Sequence, residues 1–262
     1  ANGNAKTDAG ATALWLAVCH GCGETTTDLV SGRRAATVDA LLSACDFDTD
    51  DLEALDAEGR TVFLGACERG DAVCAQRLVE AGCDVSATVT NWDDDGTLKC
   101  EETGFMHNEY QDTGLMLAIH HAPSAAVGIA RVFVQAKADL ETRDLYSRTA
   151  FLVACARGNA ACAQQLVEAG CDVSATVQDE DYDDDNLATG LMLAIIHAPS
   201  AAWDIAHVFV QGKADLEARD LFSRTAFLVA CDSDDAATAE YLLASKCDAN
   251  AVDSEGYTGL ML

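Results

Sequence analysis

Between Asp144 and Val177 the apolar positions fall into two short blocks. Ala150, Phe151, Leu152, Ala154 and Cys155 make the first, Gly158 interrupts it, and Ala161, Cys162, Leu166 and Val167 make the second. Blocks of this length around a breaker predict two short helices joined by a tight turn. Gly170 follows the second block where a left-handed helix end is wanted, and the polar run after Cys171-Asp172-Val173 predicts an extended finger reaching the next Asp.

The same pattern recurs from Asp56 to Val89 and again from Asp220 onward. One short helical pair cannot bury its apolar face alone, so recurrence predicts a stacked array. Thr12, Thr61, Thr113, Thr149, Thr189, Thr225 and Thr258 open the copies. The expected fold class is an all-α solenoid of stacked helix pairs with finger loops, about six repeats and a truncated seventh. A single array over residues 1–262 is expected, with insertions at 19–36, 90–112 and 178–188. The unit resembles the ankyrin repeat, whose T-P-L-H-x-A opening corresponds to TAFLVA at Thr149 to Ala154 and whose G-A-D ending corresponds to Gly170-Cys171-Asp172. The Pro and His of that opening are absent from every copy, replaced by pairs such as Ala150 and Leu152 or Gly114 and Met116.

The first repeat is irregular: Gly21 to Arg34 intrudes after its first helix, and the second helix is expected over Thr37 to Ala44. Residues 113–144 and 189–220 are near duplicates, differing at His120/Ile196, Val127/Trp203, Gly128/Asp204, Arg131/His207, Ala136/Gly212 and Thr142/Ala218. Both carry His-Ala-Pro-Ser, where Ser124 and Ser200 are expected to cap the second helix and His121 and His197 to turn a loop. The changes at 127, 128 and 131 fall beside an unchanged core stripe of Ile129, Ala130, Val132 and Phe133, which makes the variable side the solvent side. Trp203 is therefore a candidate interface anchor.

Charge narrows the partners. A formal net charge of -28 repels phosphates, which argues against nucleic acid or an anionic membrane and favours a basic protein surface or a metal cation. No apolar run approaches a membrane span and no leader pattern opens the chain, so an intracellular protein, cytoplasmic or nuclear, is expected. Ala1 is not an initiator and Leu262 falls inside a repeat opening, TGLML, which is compatible with a piece of something longer.

Nine of the 12 cysteines lose their interest once placed on the repeat, leaving Cys19, Cys22 and Cys100. Cys67, Cys155 and Cys231 share one position, Cys45, Cys83, Cys171 and Cys247 another, and Cys74 and Cys162 a third. Small thiols at equivalent apolar positions act like alanine, which favours a reducing compartment over a disulfide framework. Cys19-His20-Gly21-Cys22 has the spacing of half a zinc site or a redox pair, but no second ligand pair matches it. The His residues are scattered, and no phosphate loop, nucleophile elbow or HExxH appears, so no enzymatic activity is expected.

The sharpest candidates lie at the finger turns Asp144-Leu145-Tyr146-Ser147-Arg148 and Asp220-Leu221-Phe222-Ser223-Arg224. Apolar residues stand there where a turn is ordinarily polar. The resemblance implies that these tips touch a partner; equally, Leu145 and Tyr146 can pack on a neighbouring finger while Arg148 and Arg224 pair with nearby Asp. The two long inserts start at the same point of the repeat, after Val89 and Val177. In the first, Asn91, Asp93, Asp95, Gly96 and Glu102 resemble a calcium loop with oxygen ligands at positions one, three, five and twelve, although Asn replaces Asp at position one and Lys99 occupies position nine. The expected function is a protein-interaction scaffold binding a basic partner through finger tips, acidic inserts and the concave helix face. The alternative is a calcium-responsive module using the acidic inserts; no other cofactor is expected.

Overall fold

A computed structural model describes residues 13–19, 28–44, 47, 49–56, 59–89, 111–177 and 187–262. The chain falls into two compact units, 1–139 and 140–262. In the first unit the helices are α1 (Ala13–Cys19), α2 (Asp28–Ala44), α3 (Thr49–Leu52), α4 (Val62–Glu68), α5 (Ala72–Glu80), α6 (Gly114–His121) and α7 (Ala126–Ala136). The second unit holds α8 (Ala150–Ala156), α9 (Ala160–Glu168), α10 (Gly190–His197), a 3-10 turn at Pro199–Ala201, α11 (Ala202–Gln211), α12 (Ala226–Asp232) and α13 (Ala236–Ala244). Among the described residues the architecture is all-α, and the extended pairing consists of isolated antiparallel bridges at the finger bases.

Five of the repeats start where a threonine leaves extended backbone for helix. Thr61, Thr113, Thr149, Thr189 and Thr225 sit at the N-caps of α4, α6, α8, α10 and α12, and each Oγ1 accepts the N–H three residues on, at 3.3 to 3.4 Å. These first helices are buried all round their opening turns, as Phe151 to Cys155 are in α8, because each lies between its own second helix and the first helix of a neighbouring repeat. Within the units α4 packs on α6, α8 on α10 and α10 on α12. The second helices form the other layer, α2 against α5 against α7, and α9 against α11 against α13. Rings cross between the layers: Phe63 meets Phe133 at 5.8 Å and Phe151 meets Phe209 at 5.5 Å between centroids.

The second helices begin in two ways. Asp71, Asn159 and Asp235 cap α5, α9 and α13 by accepting the N–H of Cys74, Cys162 and Thr238 at 3.1 Å. The duplicated copies depart from expectation: Ala125 and Ala201 stand at the N-caps of α7 and α11 without a side-chain bond, so Ser124 and Ser200 do not cap. The proline holds the chain in a tight turn, Ala125 N–H bonding Ala122 O and Ala201 N–H bonding Ala198 O at 2.8 Å, which moves each serine out of the cap position. That turn presses on a neighbour. A Cβ on Gly158, at φ +68, would lie 2.8 Å from Ala201 Cβ, and one on Gly70, at φ +69, would lie 2.5 Å from Ala125 Cβ. His121 and His197 are the last residues of α6 and α10, not loop residues. The irregular first repeat is also corrected: α2 is helical from Asp28, so residues 28–36 extend the second helix instead of interrupting the pair.

The thiols are interior residues. Cys67, Cys74, Cys83, Cys155 and Cys162 are buried, and Cys171, Cys231 and Cys247 half-buried, all as free thiols. Burial is the main cause that pushes Cys83, Cys162 and Cys171 up to about 12 and Cys247 to about 11, which works against their use as nucleophiles. Cys45, Cys22 and Cys100 lie outside the described residues, as does the side chain of Cys19. Among the described residues no helix is long and apolar enough to cross a membrane.

Candidate partner-binding site

The finger turns of the second unit are built around one carboxylate each. Asp144 is buried, its Oδ1 accepts the N–H of Tyr146 at 2.9 Å and of Arg148 at 2.8 Å, and its Oδ2 accepts from Arg148 Nε at 2.8 Å and pairs with Nη2 at 2.7 Å. Asp220 repeats the arrangement with Phe222, Arg224 N–H and Arg224 Nε at 3.0, 2.8 and 2.8 Å. The chain closes the turn by bonding Asp144 N–H to Arg148 O at 2.9 Å and Asp220 N–H to Arg224 O at 3.0 Å. Ser147 and Ser223 take φ of 55° and 59°, the left-handed corner where the corresponding finger of the first unit has Gly59 at φ 73°.

This geometry separates the candidate tip residues into two kinds. Arg148 and Arg224 are turned inward: besides holding the carboxylate, their guanidinium groups lie over the rings of Tyr146 and Phe222, 4.6 and 4.9 Å from the centroids. They fix the turn. Leu145, Leu221 and Phe222 face solvent, 37%, 50% and 40% exposed, and Tyr146 is half-buried. Two residues missed in the sequence tie neighbouring fingers together. Arg143 Nη1 donates to Ser147 O of its own finger and to Thr176 O at 3.0 Å, while Arg219 Nη1 donates to Ser223 O and Val252 O, both at 2.7 Å. Ser254 N–H also bonds Phe222 O at 2.9 Å. The signal available was the Arg-Asp pair at the head of each finger, at 143–144 and 219–220.

The acidic inserts leave from pinched bases. Val89 and Gln111 are bridged through Gln111 N–H to Val89 O at 3.2 Å, and Val177 and Leu187 through Leu187 N–H to Val177 O at 2.9 Å. Asn91, Asp93, Asp95 and Glu102 lie outside the described residues. Among the described residues no group of three or more His, Cys, Asp or Glu side chains is placed to hold a metal ion.

Trp203, on α11, is 47% exposed and belongs to a cluster the sequence did not reveal. It stacks on His207 with centroids 5.9 Å apart and planes 9° from parallel, and meets Tyr241 of α13 at 5.5 Å. The contact spans two helices of different repeats, so no local spacing announces it.

No family model and no curated protein matches the chain. Solved structures do. An ankyrin repeat domain from Acinetobacter baumannii AYE superposes with a TM-score of 0.63 at 21% identity, covering 83% of this chain and 95% of its own. The ankyrin repeat domain of Bcl-3, a member of the IkappaB protein family, gives 0.65 at 20% identity, covering 96% and 93%. That of human ASB11 gives 0.65 at 15% identity, covering 96% and 91%.

Proposed function

We propose that this ankyrin-repeat fold serves as a protein-interaction scaffold, gripping a partner with a basic surface through its finger tips, its acidic inserts and its helix-one face. The observation that carries the reading is the exposure of Leu145, Leu221 and Phe222 on turns locked by an Asp–Arg clamp. Apolar side chains held in water on a rigid turn gain by burial against a partner, and the turn loses little freedom when they are covered. The net charge of -28 supplies the long-range attraction that brings a Lys- or Arg-bearing surface to them, in an association weakened by salt. The buried free thiols support an intracellular setting, where such groups stay reduced.

The test is the quadruple variant L145S, Y146S, L221S and F222S against a partner recovered by co-purification, at low and high salt. Affinity is expected to fall about tenfold or more at both, because the apolar share is insensitive to screening, while the helical circular dichroism stays that of the unmodified chain. Unchanged affinity at both salt concentrations would remove the tips from the interface.

A further inference from the structure

The finger-tip reading leaves unused the aromatic cluster on the helix-two layer of the second unit. His207 is engaged at both ring nitrogens, Nδ1 at 2.8 Å from Tyr241 Oη and Nε2 at 2.6 Å from Gln211 Nε2. With the Gln211 amide donating to Nε2, the imidazole carries its proton on Nδ1 and donates it to the tyrosine hydroxyl. Trp203 lies flat on that fixed ring and against Tyr241, so an indole 47% exposed is held by two supports instead of rotating freely. The three rings stand 5.5 to 5.9 Å apart in mutual contact, which leaves no room for a ligand between them. The surface they offer is the exposed part of the indole. Asp204 follows it directly and Glu240 precedes Tyr241, both exposed.

The duplicated copy shows what this face is without the cluster. Val127, Gly128 and Arg131 occupy the equivalent places on α7, above the same buried stripe. Two neutral residues and a cation stand where α11 has an indole, a carboxylate and an imidazole.

We propose that the Trp203–His207–Tyr241 cluster is a second docking site, for an arginine side chain of a basic protein partner. A guanidinium is planar, weakly hydrated and always charged, so it stacks on the indole while the exposed carboxylates of Asp204 and Glu240, one on each helix that carries the cluster, add to the negative field that draws it in. A lysine ammonium gains the charge without the flat contact. The site depends on the reading above only for the sign of the partner's charge.

Acetylated hexa-arginine amide and its hexalysine counterpart are the probes, titrated into the full chain at about 150 mM salt, near physiological screening. Calorimetry gives the affinity and the indole NMR resonance of Trp203 gives the place. The control is the triple variant W203V, D204G and H207R, which installs on α11 the residues that α7 carries at the equivalent places, with circular dichroism to show that it folds. Hexa-arginine is expected to shift the Trp203 resonance and to bind the unmodified chain about five-fold or more tighter than the triple variant, with hexalysine separating the two far less. The tip variant described above should keep the Trp203 response, so that failure of either reading leaves the other standing. Equal hexa-arginine affinity for the unmodified chain and the triple variant would mean that the peptide binds elsewhere, and hexalysine separating the two as widely as hexa-arginine would mean that charge alone holds it; either would overturn the proposal. So would sedimentation showing a dimer without peptide that the triple variant turns into monomer, since the face would then bind a second copy of the chain.

Discussion

Residues 113–144 and 189–220 run through the same helix pair with the same interior, and four of their six differences fall in two places. Ile129, Ala130, Val132 and Phe133 of α7 are matched by Ile205, Ala206, Val208 and Phe209 of α11, all buried. Those four differences, with the Asp112/Ala188 change just ahead of the duplicated stretch, mark two places. One is the solvent side of the second helix, where the aromatic cluster has formed. The other involves the residue before the capping threonine: Asp112 is buried with His120 Nε2 3.6 Å from its Oδ2, whereas the second copy has Ala188, buried, and Ile196, 38% exposed. A carboxylate beneath the first helix is accompanied by a half-buried histidine, and where it is replaced by alanine the partner position holds an apolar residue on the surface. The interior tolerates a polar substitution here as a pair, while the outer face changes freely.

The largest effects should come from the shared interior and should be the same in both copies. Phe133→Ala and Phe209→Ala each remove a ring packed on a partner phenylalanine, and each should cost about 3 to 5 kcal/mol in urea unfolding. Leu166→Ala, at a position with no exposure, should cost about 2 to 4 kcal/mol. A difference between the two Phe variants of more than about 1 kcal/mol, beyond the usual scatter of core truncations, would show that the copies are not packed alike.

The buried pair sharpens the comparison. His120→Ile alone leaves Asp112 buried and short of one partner, at a cost of about 1 to 3 kcal/mol. Combining it with Asp112→Ala recreates the pair found in the second copy and should return the stability to within about 1 kcal/mol of the unmodified chain. Strictly additive losses in the three variants would show that the two side chains do not act together.

How much of this could be read from the chain depended on the reach of each contact. The threonines that open the repeats were legible because an N-cap is a local device, a hydroxyl and an N–H three residues away. The buried thiols were legible because equivalent positions inherit one environment. Ser124 and Ser200 misled because they have the chemistry of a cap, but the adjoining proline fixes a turn that carries them past it. The start of α2 was missed because the stretch from Asp28 to Arg34 lacks the clear apolar stripe by which the other helices were found. At the fingers the sequence left two readings open, tips that touch a partner or Leu145 and Tyr146 packed on a neighbouring finger with Arg148 and Arg224 paired to nearby Asp; the structure takes the arginine pairing from the second while leaving Leu145, Leu221 and Phe222 exposed, because whether an arginine serves its own aspartate is decided by side-chain geometry. His207 and Tyr241 were out of reach altogether, since 34 positions of chain separate two side chains that touch.

The smallest expected effect concerns the inserts, which leave the two copies of the finger at equivalent bridges yet differ in what they carry. Asp93 and Asp95 are followed by Gly96 and Glu102, while Asp181 and Asp183 have neither the glycine nor the terminal glutamate after them. The reading of residues 91–102 as a calcium loop therefore predicts a response from the first insert only. For a site of about 0.1 mM affinity, typical of the weaker calcium modules, about 1 mM calcium stabilises the folded state by about 1.4 kcal/mol and raises the melting temperature by a few degrees. Asp93→Ala with Asp95→Ala should abolish that rise, because the carboxylates at positions three and five would no longer neutralise the ion. Asp181→Ala with Asp183→Ala should leave it intact. No rise in the unmodified chain at millimolar calcium would end the calcium reading, leaving the first insert with the same solvated or partner-facing acidity as the second.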